Sequence, residues 1–268
     1  MIRTYIINRN ELEKINYSED IFSADRKEKI SKLKRDEDKQ LSTCAGLLLI
    51  YALRQHIQDL ALPLAIQEDE RNKPFLKDSP YYFNLSHAKE YAACAVSDQP
   101  VGVDIEYFRV KEVIGADRML HPEEAATMAY ISNPDEKKKF FYECWVSKES
   151  YLKNLGIGLI VRPRDFMVNG DRLTILDKDF LQPKGHHSVK VPETKNGDEK
   201  QADNTLYENL SYLEKRYVHV FEPGEVRGTN WKFDAGYRMA VCSMEKDTDC
   251  KARLVNAGDI NGILEINK

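Results

Sequence analysis

A strand-like run and a helix-like run in this chain carry charged residues on faces that should be apolar. VGVDIE spans residues 101–106, and FYECWVSKESYLKNLG spans residues 141–156. Strand side chains alternate between faces, so Asp104 and Glu106 project from the same side. An ionised group that faces a core is costly unless it is paired or bound to a metal. The two runs together therefore indicate a charged site between a strand and a helix.

The helix-like run adds a third carboxylate and a lysine. Glu149 falls on one helical stripe with Phe141, Trp145, Lys148, Leu152 and Gly156. Lys153 lies one turn after Glu149, so an ordinary exposed pair on a rotated helix is the alternative interpretation. A divalent cation bound by Asp104, Glu106 and Glu149 would explain all three acids. Oxygen ligands without converging Cys or His favour Mg²⁺, or Mn²⁺, over zinc.

Size, charge and cysteine content limit the class of protein. The 268 residues can form a sizeable core, either as one domain or as two lobes. A net charge of -4 argues against broad nucleic-acid binding. The chain has no long apolar stretch after Met1 and no window of membrane-spanning length, so we expect a cytoplasmic protein that does not enter membranes. Its five cysteines show no CxxC spacing, which favours buried free thiols over disulfides.

Periodicity and turn signals predict an α+β protein with antiparallel strands. Ser23 is a good N-cap for the first helix, and Gly156 is a stop signal for the last one. The turn at 97–100 predicts a hairpin between the strands on either side of it. The predicted helices are 24–35, 38–56, 122–131 and 134–154, and the predicted strands are 2–7, 81–87, 91–97, 101–106, 165–169, 172–176, 217–222, 229–234 and 238–244.

A short internal similarity and a polar stretch bear on domain organisation. HAKEYAACAVS at 87–97 resembles FDAGYRMAVCS at 233–243, by chance or because two lobes arose by duplication. We predict an N-terminal lobe at 1–102 and a C-terminal lobe at 103–268. The stretch at 177–216 is polar and is predicted to be an exposed insertion.

A magnesium site with few protein ligands usually includes substrate phosphate oxygens, so a polyphosphate substrate is implied. Cationic side chains and a Ser-His pair at a strand end can bind phosphate by charge-assisted hydrogen bonds. A solvated helix face for residues 26–35 and a plain strand terminus at 86–87 are the alternatives. The candidates are Arg26, Lys27, Lys29, Lys73, Ser86, His87, Lys148 and Lys153.

Three segments, in this order, resemble the motifs of a known family. FNLSH at 83–87, VGVDIE at 101–106 and WVSKESYLK at 145–153, followed by GIGL at 156–159, are similar to those of the 4′-phosphopantetheinyl transferases of the larger, single-chain Sfp-like class. The resemblance covers roughly residues 1–175 and 229–244. It implies an enzyme that moves phosphopantetheine from coenzyme A to a serine of an apo acyl or peptidyl carrier protein, releasing adenosine 3′,5′-bisphosphate. It also implies a pseudo-dimer of two similar lobes, each a small antiparallel sheet packed with helices, with coenzyme A in the cleft.

The resemblance also implies residue roles. Asp104, Glu106 and Glu149 would hold Mg²⁺, and Glu149 or a metal-bound water would take the proton of the serine hydroxyl. Lys153 would assist charge on the pyrophosphate or leaving group. Trp145 would support the helix, and the implied nucleotide contacts are Arg26, Lys29, Lys73, Ser86 and His87, with Lys148 at the motif's other lysine position.

Two departures from the family pattern, and two other functions, stay open at this point. Family members commonly have an arginine early in the second helix, where this chain has Lys39, Gln40 and Leu41. The insertion at 177–216 is longer than the usual connection. A non-catalytic module that binds coenzyme A or a carrier, and another metal-dependent phosphoester hydrolase, are the alternatives to a monomeric transferase. Fatty-acid, polyketide and nonribosomal-peptide carriers share the modified serine, so the sequence does not identify the carrier.

Overall fold

A computed structural model describes residues 1–108, 116–157, 161–169, 172–174, 216–221, 225–227, 236–244 and 251–265. The predicted insertion at 177–216, except its last residue, and the predicted strand at 229–234 lie outside these ranges.

Helices and strands in the described ranges form a mixed α+β architecture. The helices are α1 (Ala24–Ser31), α2 (Asp36–Arg54), α3 (Ala116–Met119), α4 (Pro122–Tyr130), α5 (Pro134–Leu155) and α6 (Ala257–Glu265). The strands are β1 (Ile2–Asn8), β2 (Ile66–Glu68), β3 (Pro74–Leu76), β4 (Tyr82–Ala88), β5 (Tyr91–Ser97), β6 (Val101–Tyr107), β7 (Met167–Asn169), β8 (Arg172–Thr174), β9 (Tyr217–Val220), β10 (Val226–Arg227), β11 (Tyr237–Ser243) and β12 (Ala252–Val255). Short 3-10 helices lie at Arg9–Lys14, Glu19–Ile21 and Pro163–Asp165.

Capping residues set the start of α1 and both ends of α5. The Ser23 hydroxyl accepts a hydrogen bond from the Arg26 amide and begins α1, as predicted. Asn133 caps the amides of Asp135 and Glu136 at the start of α5. Gly156, with a φ of 68°, ends α5 in the left-handed region that favours glycine.

Two larger sheets carry the fold. The first has the order β10-β12-β1-β5-β4, and the second has the order β6-β11-β9. Strands β1, β5 and β4 are antiparallel neighbours, as are all three strands of the second sheet. The buried side chains of α2 share one core with β5, and those of α5 share another with β11 and β9.

The predicted hairpin across residues 97–100 is wrong. β5 pairs with β1 and β4, whereas β6 pairs with β11 in the other sheet. The turn signal at 97–100 is real, but it marks the place where the chain passes from one sheet to the other. The hairpin partner of β5 is β4.

The expected α+β fold is confirmed, and two observations agree with a pseudo-dimer of lobes. β5 and β11, the two strands of the internal similarity, are each buried along all seven residues. Their first residues, Tyr91 and Tyr237, meet edge to face with ring centroids 5.0 Å apart.

The end of the chain returns to the first sheet. β12 runs parallel to β1, and Val255, Ala257 and Ile260 join the core around α2. This parallel pairing was not predicted. The division of the chain at residue 102 stays a prediction, and the strand and helix at the C-terminal end pack with the first lobe.

In the part of the chain that is described, none of the helices combines the length and the apolar character that a membrane crossing requires. Cys44, Cys94 and Cys242 are buried free thiols, and Cys144 is a half-buried one. Cys250 lies outside the described residues.

Candidate active site

A glycine brings β6 against the backbone of α5. A Cβ atom on Gly102 would lie 2.0 Å from the carbonyl oxygen of Ser150 and 2.4 Å from the amide nitrogen of Asn154. A side chain at this position would therefore force the strand away from the helix. Asp104, two residues along the same face, consequently faces α5 at short range.

Asp104 is the centre of a polar cluster with the buried Ser86 and the half-buried Lys153. It is 4% exposed, and its Oδ1 accepts hydrogen bonds from Lys153 Nζ at 2.6 Å and from Ser86 Oγ at 2.8 Å. Lys153 Nζ also donates to Ser86 Oγ at 3.0 Å. The three residues come from α5, β4 and β6, so the cluster joins both sheets to the helix.

Glu149 adds a second carboxylate with incomplete hydrogen bonding. Glu149 Oε1 and Asp104 Oδ2 are both buried and have no hydrogen-bond partner. Burial raises the pKa of Glu149, and the negative charges of Asp104 and Glu106 raise it further against the opposing effect of Lys153. Two unpaired carboxylate oxygens at one site are an environment that a cation would stabilise.

Glu106 is held on the same face of β6 by the helix. Trp145 Nε1 donates a hydrogen bond to Glu106 Oε1 at 3.2 Å. The structure thus brings together the residues expected as metal ligands. Trp145 was expected to support the helix, and its contact with Glu106 was not predicted.

The carboxylate oxygens at the site are the donor type that a hard cation binds, but they are not already arranged around a common point. Among the described residues, no three carboxylate, imidazole or thiol groups are arranged as a metal-binding set. Lys153 Nζ lies against Asp104 Oδ1, one of the oxygens that a metal would use. The unpaired oxygens of Asp104 and Glu149 are the observation that favours a cation.

Lys148 lies away from the carboxylate cluster. Its side chain is fully buried, it pairs with the carboxylate of Glu124, and it donates to the carbonyl oxygens of Met119 at 3.2 Å and Pro163 at 2.8 Å. All three donors of its ammonium group are therefore occupied by the protein. The sequence predicted Lys148 and Glu149 on one stripe of the helix. In the structure α5 is buried on several faces, and the Lys148 side chain contacts α4 and the 3-10 helix instead of the carboxylate cluster. A nucleotide contact from Lys148 is not supported by this position.

Lys73 also binds the protein backbone. Its Nζ donates to the carbonyl oxygens of Asn154 at 2.8 Å and Val101 at 3.3 Å, and its alkyl chain packs on Gly156. Burial lowers the pKa of Lys73 to about 8. The side chain predicted to bind phosphate therefore links the end of α5 to the start of β6.

The remaining predicted nucleotide contacts are arranged around the first lobe. Arg26 packs on α2 at Gly46 and donates to the carbonyl oxygen of Ser42. Lys29 forms an exposed ion pair with Glu68 at 3.0 Å. His87 is exposed beside the buried Ser86, as strand alternation requires. The nucleotide contacts predicted for these residues stay predictions.

Comparison with known proteins identifies the family. Residues 11–99 match the family model described as "4′-phosphopantetheinyl transferase, N-terminal", and residues 100–202 match the model of the 4′-phosphopantetheinyl transferase superfamily. The two matches adjoin and together cover most of the chain. The chain belongs to the 4′-phosphopantetheinyl transferase superfamily.

This chain has modest sequence identity to individual relatives over long alignments. It is 24% identical over 226 residues to the 4′-phosphopantetheinyl transferase Sfp of Bacillus subtilis (strain 168), covering 84% of this chain and 83% of the relative. It is 27% identical over 172 residues to another 4′-phosphopantetheinyl transferase of Bacillus subtilis, covering 64% and 71%. A shorter match, 39% identical over 99 residues, is to the 4′-phosphopantetheinyl transferase HetI of Nostoc sp., covering 34% and 41%.

Several residues that hold the site or the elements around it in place were not predicted from the sequence. Gly102 and Asn154 govern the approach of β6 to α5, and Glu124 pairs with Lys148. Asn84 binds the edge of β6. The role of Gly102 could have been predicted, because a glycine two residues before an acid on the same strand face indicates a close approach of another element. The roles of the other three depend on contacts between segments distant in sequence.

Proposed function

We propose that this protein transfers 4′-phosphopantetheine from coenzyme A to a serine hydroxyl of an apo carrier protein. The serine oxygen forms a bond to the phosphorus that carries the pantetheine. The bond from that phosphorus to the oxygen of the nucleotide phosphate breaks, which releases adenosine 3′,5′-bisphosphate. Membership of the superfamily and the relatives' identity as 4′-phosphopantetheinyl transferases support the reaction type.

The observation that carries the proposal is the cluster of the buried Asp104 and Ser86 with the half-buried Glu149 and Lys153. It combines two carboxylate oxygens without hydrogen-bond partners and a lysine ammonium within one site. Phosphoryl transfer depends mainly on positioning and charge neutralisation, for which these groups are suited.

The acidic side chains would provide the metal site. Asp104, Glu106 and Glu149 would hold Mg²⁺, or Mn²⁺, by their carboxylate oxygens. When bound, the cation would neutralise charge on the pyrophosphate and help to orient it. Trp145 would keep Glu106 directed to the site through its indole N–H, the contact described above.

Glu149 and Lys153 would stand nearest the reacting atoms. Glu149, whose Oε1 has no hydrogen-bond partner in the protein, or a water on the cation would take the serine proton. Lys153 would stabilise negative charge on the pyrophosphate or on the leaving phosphate, exchanging part of its contact with Asp104 for the substrate. Ser86 would keep Lys153 in place.

The proposal includes a cytoplasmic, monomeric enzyme that uses no nucleic acid or membrane as substrate. The buried free thiols Cys44, Cys94 and Cys242 support a reducing compartment. Arg26, Lys29 and His87 are retained as contacts to the nucleotide of coenzyme A. Apo acyl or peptidyl carrier proteins of fatty-acid, polyketide or nonribosomal-peptide pathways are the proposed acceptors.

The test is an assay of several apo carriers. The protein, coenzyme A and Mg²⁺ are incubated with an acyl, a peptidyl or an aryl carrier, and each carrier is weighed by intact mass spectrometry. We expect at least one carrier to gain one phosphopantetheinyl group, and a chelator to prevent the gain. The comparison of rates between carriers also identifies the preferred acceptor.

Two outcomes would contradict the proposal. Binding of coenzyme A without any mass gain across the carriers would support the non-catalytic module instead. Release of phosphopantetheine or phosphate without a carrier would support the hydrolase. A Ser-to-Ala variant of each carrier is the matched control for acceptor specificity.

A further inference from the structure

The two sheets meet where the edge strand β4 lies beside the edge strand β6. β4 ends the first sheet and β6 ends the second, and the two strands belong to different ladders. Side chains of β4 bind backbone amides of β6 instead. Asn84 Oδ1 accepts from the Val103 amide at 2.8 Å, and Ser86 Oγ accepts from the Ile105 amide at 3.3 Å.

These two hydrogen bonds have the two-residue spacing at which side chains and amides repeat on one side of a strand. Asn84 and Ser86 are two residues apart on one face of β4, and the amides that they bind are two residues apart on β6. On β5 they are opposite Ala95 and Ala93, whose small side chains leave room for polar groups on this face. The junction between the sheets is thus made by side chains in alternate positions.

The Val103 and Ile105 amides on β6 are deeply buried, and their hydrogen-bond acceptors are these two side chains of β4. Val103 is 0% exposed and Ile105 is 1% exposed, whereas Asn84 is 7% exposed. A buried amide that loses its acceptor keeps the full cost of desolvation. The amides flank Asp104, so movement of either one changes the position of the carboxylate between them.

We infer that Asn84 is a positioning residue for the Asp104 carboxylate, through its hydrogen bond to the Val103 amide. Ser86 contacts the cluster directly, whereas Asn84 acts on it through β6. The inference deepens the proposed function and rests on it for its effect on catalysis. The hydrogen bond itself is tested independently of any substrate.

The experiment compares Asn84→Ala with Leu85→Ala and Asn84→Asp. Leu85 is the next residue on β4 and packs into the α2 core on the opposite face, so Leu85→Ala weakens the same strand without touching β6. Asn84→Asp retains an acceptor oxygen. Amide hydrogen exchange of the substrate-free proteins is measured by NMR, with Val241 on β11 as the internal reference for the second sheet.

The expected result is a local loss of protection. In Asn84→Ala the Val103 amide exchanges on the order of tenfold faster relative to Val241, the scale set by an unsatisfied buried amide. In Leu85→Ala the ratio is unchanged, and in Asn84→Asp it stays close to wild type. An unchanged ratio in Asn84→Ala would overturn the inference, as would an equal change in Leu85→Ala.

The kinetic arm separates positioning from binding. Asn84→Ala is expected to lower kcat by on the order of tenfold to a hundredfold, because a small displacement of a reacting group is costly. The KM for coenzyme A is expected to stay within about twofold. A wild-type kcat in Asn84→Ala would overturn the positioning role and leave the proposed function intact. Absence of transfer by the wild-type protein would refute the proposed function, and the exchange data would still test the junction.

Discussion

Glu149 is a carboxylate whose surroundings favour its protonated form. Burial is the largest cause of its raised pKa, followed by the charge of Asp104, with Lys153 acting in the opposite direction. The folded protein therefore holds the Glu149 proton at pH values where the unfolded chain has released it. Ionisation of Glu149 costs folding free energy, and that cost is complete only above the folded-state pKa.

Glu149→Gln should separate stability from activity. We expect transfer to fall at least a hundredfold, roughly the contribution of general base catalysis. Above the folded pKa the substrate-free variant should be more stable than wild type, because it has no charge to desolvate. Below the ordinary pKa of glutamate this difference should disappear, as measured by chemical denaturation across pH.

Near-normal turnover by Glu149→Gln would remove Glu149 from its catalytic role. A variant less stable than wild type at neutral pH would contradict the electrostatic description of the buried carboxylate. Coenzyme A binding, measured by calorimetry, is the control and should be retained.

Asp104→Asn tests the metal role with little change of shape. The amide oxygen can still accept from Lys153 and Ser86, but the negative charge is lost. We expect a higher Mg²⁺ concentration for half-maximal rate, because the ligand charge count falls. An unchanged Mg²⁺ titration would exclude Asp104 as a ligand.

At the scale of elements, the contact between β6 and α5 depends on the missing side chain of Gly102. A Cβ there would lie within 3.0 Å of three backbone atoms, which cannot move aside as a side-chain tip could. Gly262, in α6, is a matched control because a Cβ there has nothing within 4 Å.

Gly102→Ala is expected to lower the free energy of unfolding by about 3 kcal/mol or more, the upper end of the usual cost of overpacking a core. Gly262→Ala should be neutral or stabilising by up to about 1 kcal/mol, because alanine favours helix. Urea denaturation measures both. Equal stability of the two variants would contradict the described packing of strand on helix.

The buried pair of Lys148 and Glu124 fixes α4 and the 3-10 helix at Pro163–Asp165 to α5. Glu124 also accepts from the His121 amide at 2.8 Å, so its carboxylate closes the cap of α4. Lys148→Met leaves this buried carboxylate without its cation. We expect a loss of about 3 to 5 kcal/mol in unfolding free energy, the usual cost of breaking a buried pair.

The control on the same helix is Lys138→Met. Lys138 pairs with the exposed Asp135 at 3.9 Å, and its loss should cost less than about 1 kcal/mol. Thermal or chemical denaturation compares the two variants. A similar small effect for both would show that Lys148 does not hold these elements together.

Local patterns predicted four of the six helices in the described ranges, missing α3 and α6, and predicted the sheet partners poorly. The core helix predicted at 38–56 is α2 at Asp36–Arg54, and the one predicted at 134–154 is α5 at Pro134–Leu155. Caps and 3.6-residue periodicity lie within each segment, so sequence reading can detect them. The partner of β6 is β11, more than a hundred residues away, and no turn signal at 97–100 could indicate it.

At the scale of the whole molecule, the site is formed only when distant segments meet. The sequence predicted that Asp104, Glu149 and Lys153 act together, because uncompensated charge on an apolar face requires a partner. It did not predict that Ser86 would bridge Asp104 and Lys153, or that Lys148 would pair with Glu124. These contacts depend on how the two sheets and α5 pack, which no single segment determines.

The cluster joining both sheets to α5 connects the fold to its proposed activity. β4 supplies Ser86, β6 supplies Asp104, and α5 supplies Lys153 and Glu149. Because all three elements must be in place, the proposed site requires both halves of the chain. The central claim is that this shared site moves phosphopantetheine from coenzyme A to a carrier.

The most direct measurement follows both products in one reaction. An apo carrier, coenzyme A and Mg²⁺ are mixed with the wild-type protein or with Glu149→Gln, and carrier mass and adenosine 3′,5′-bisphosphate are measured over time. We predict that wild type yields one bisphosphate for each phosphopantetheinyl group added to the carrier, and that Glu149→Gln yields almost none of either. Bisphosphate formed without modified carrier, or equal yields from both proteins, would contradict the account.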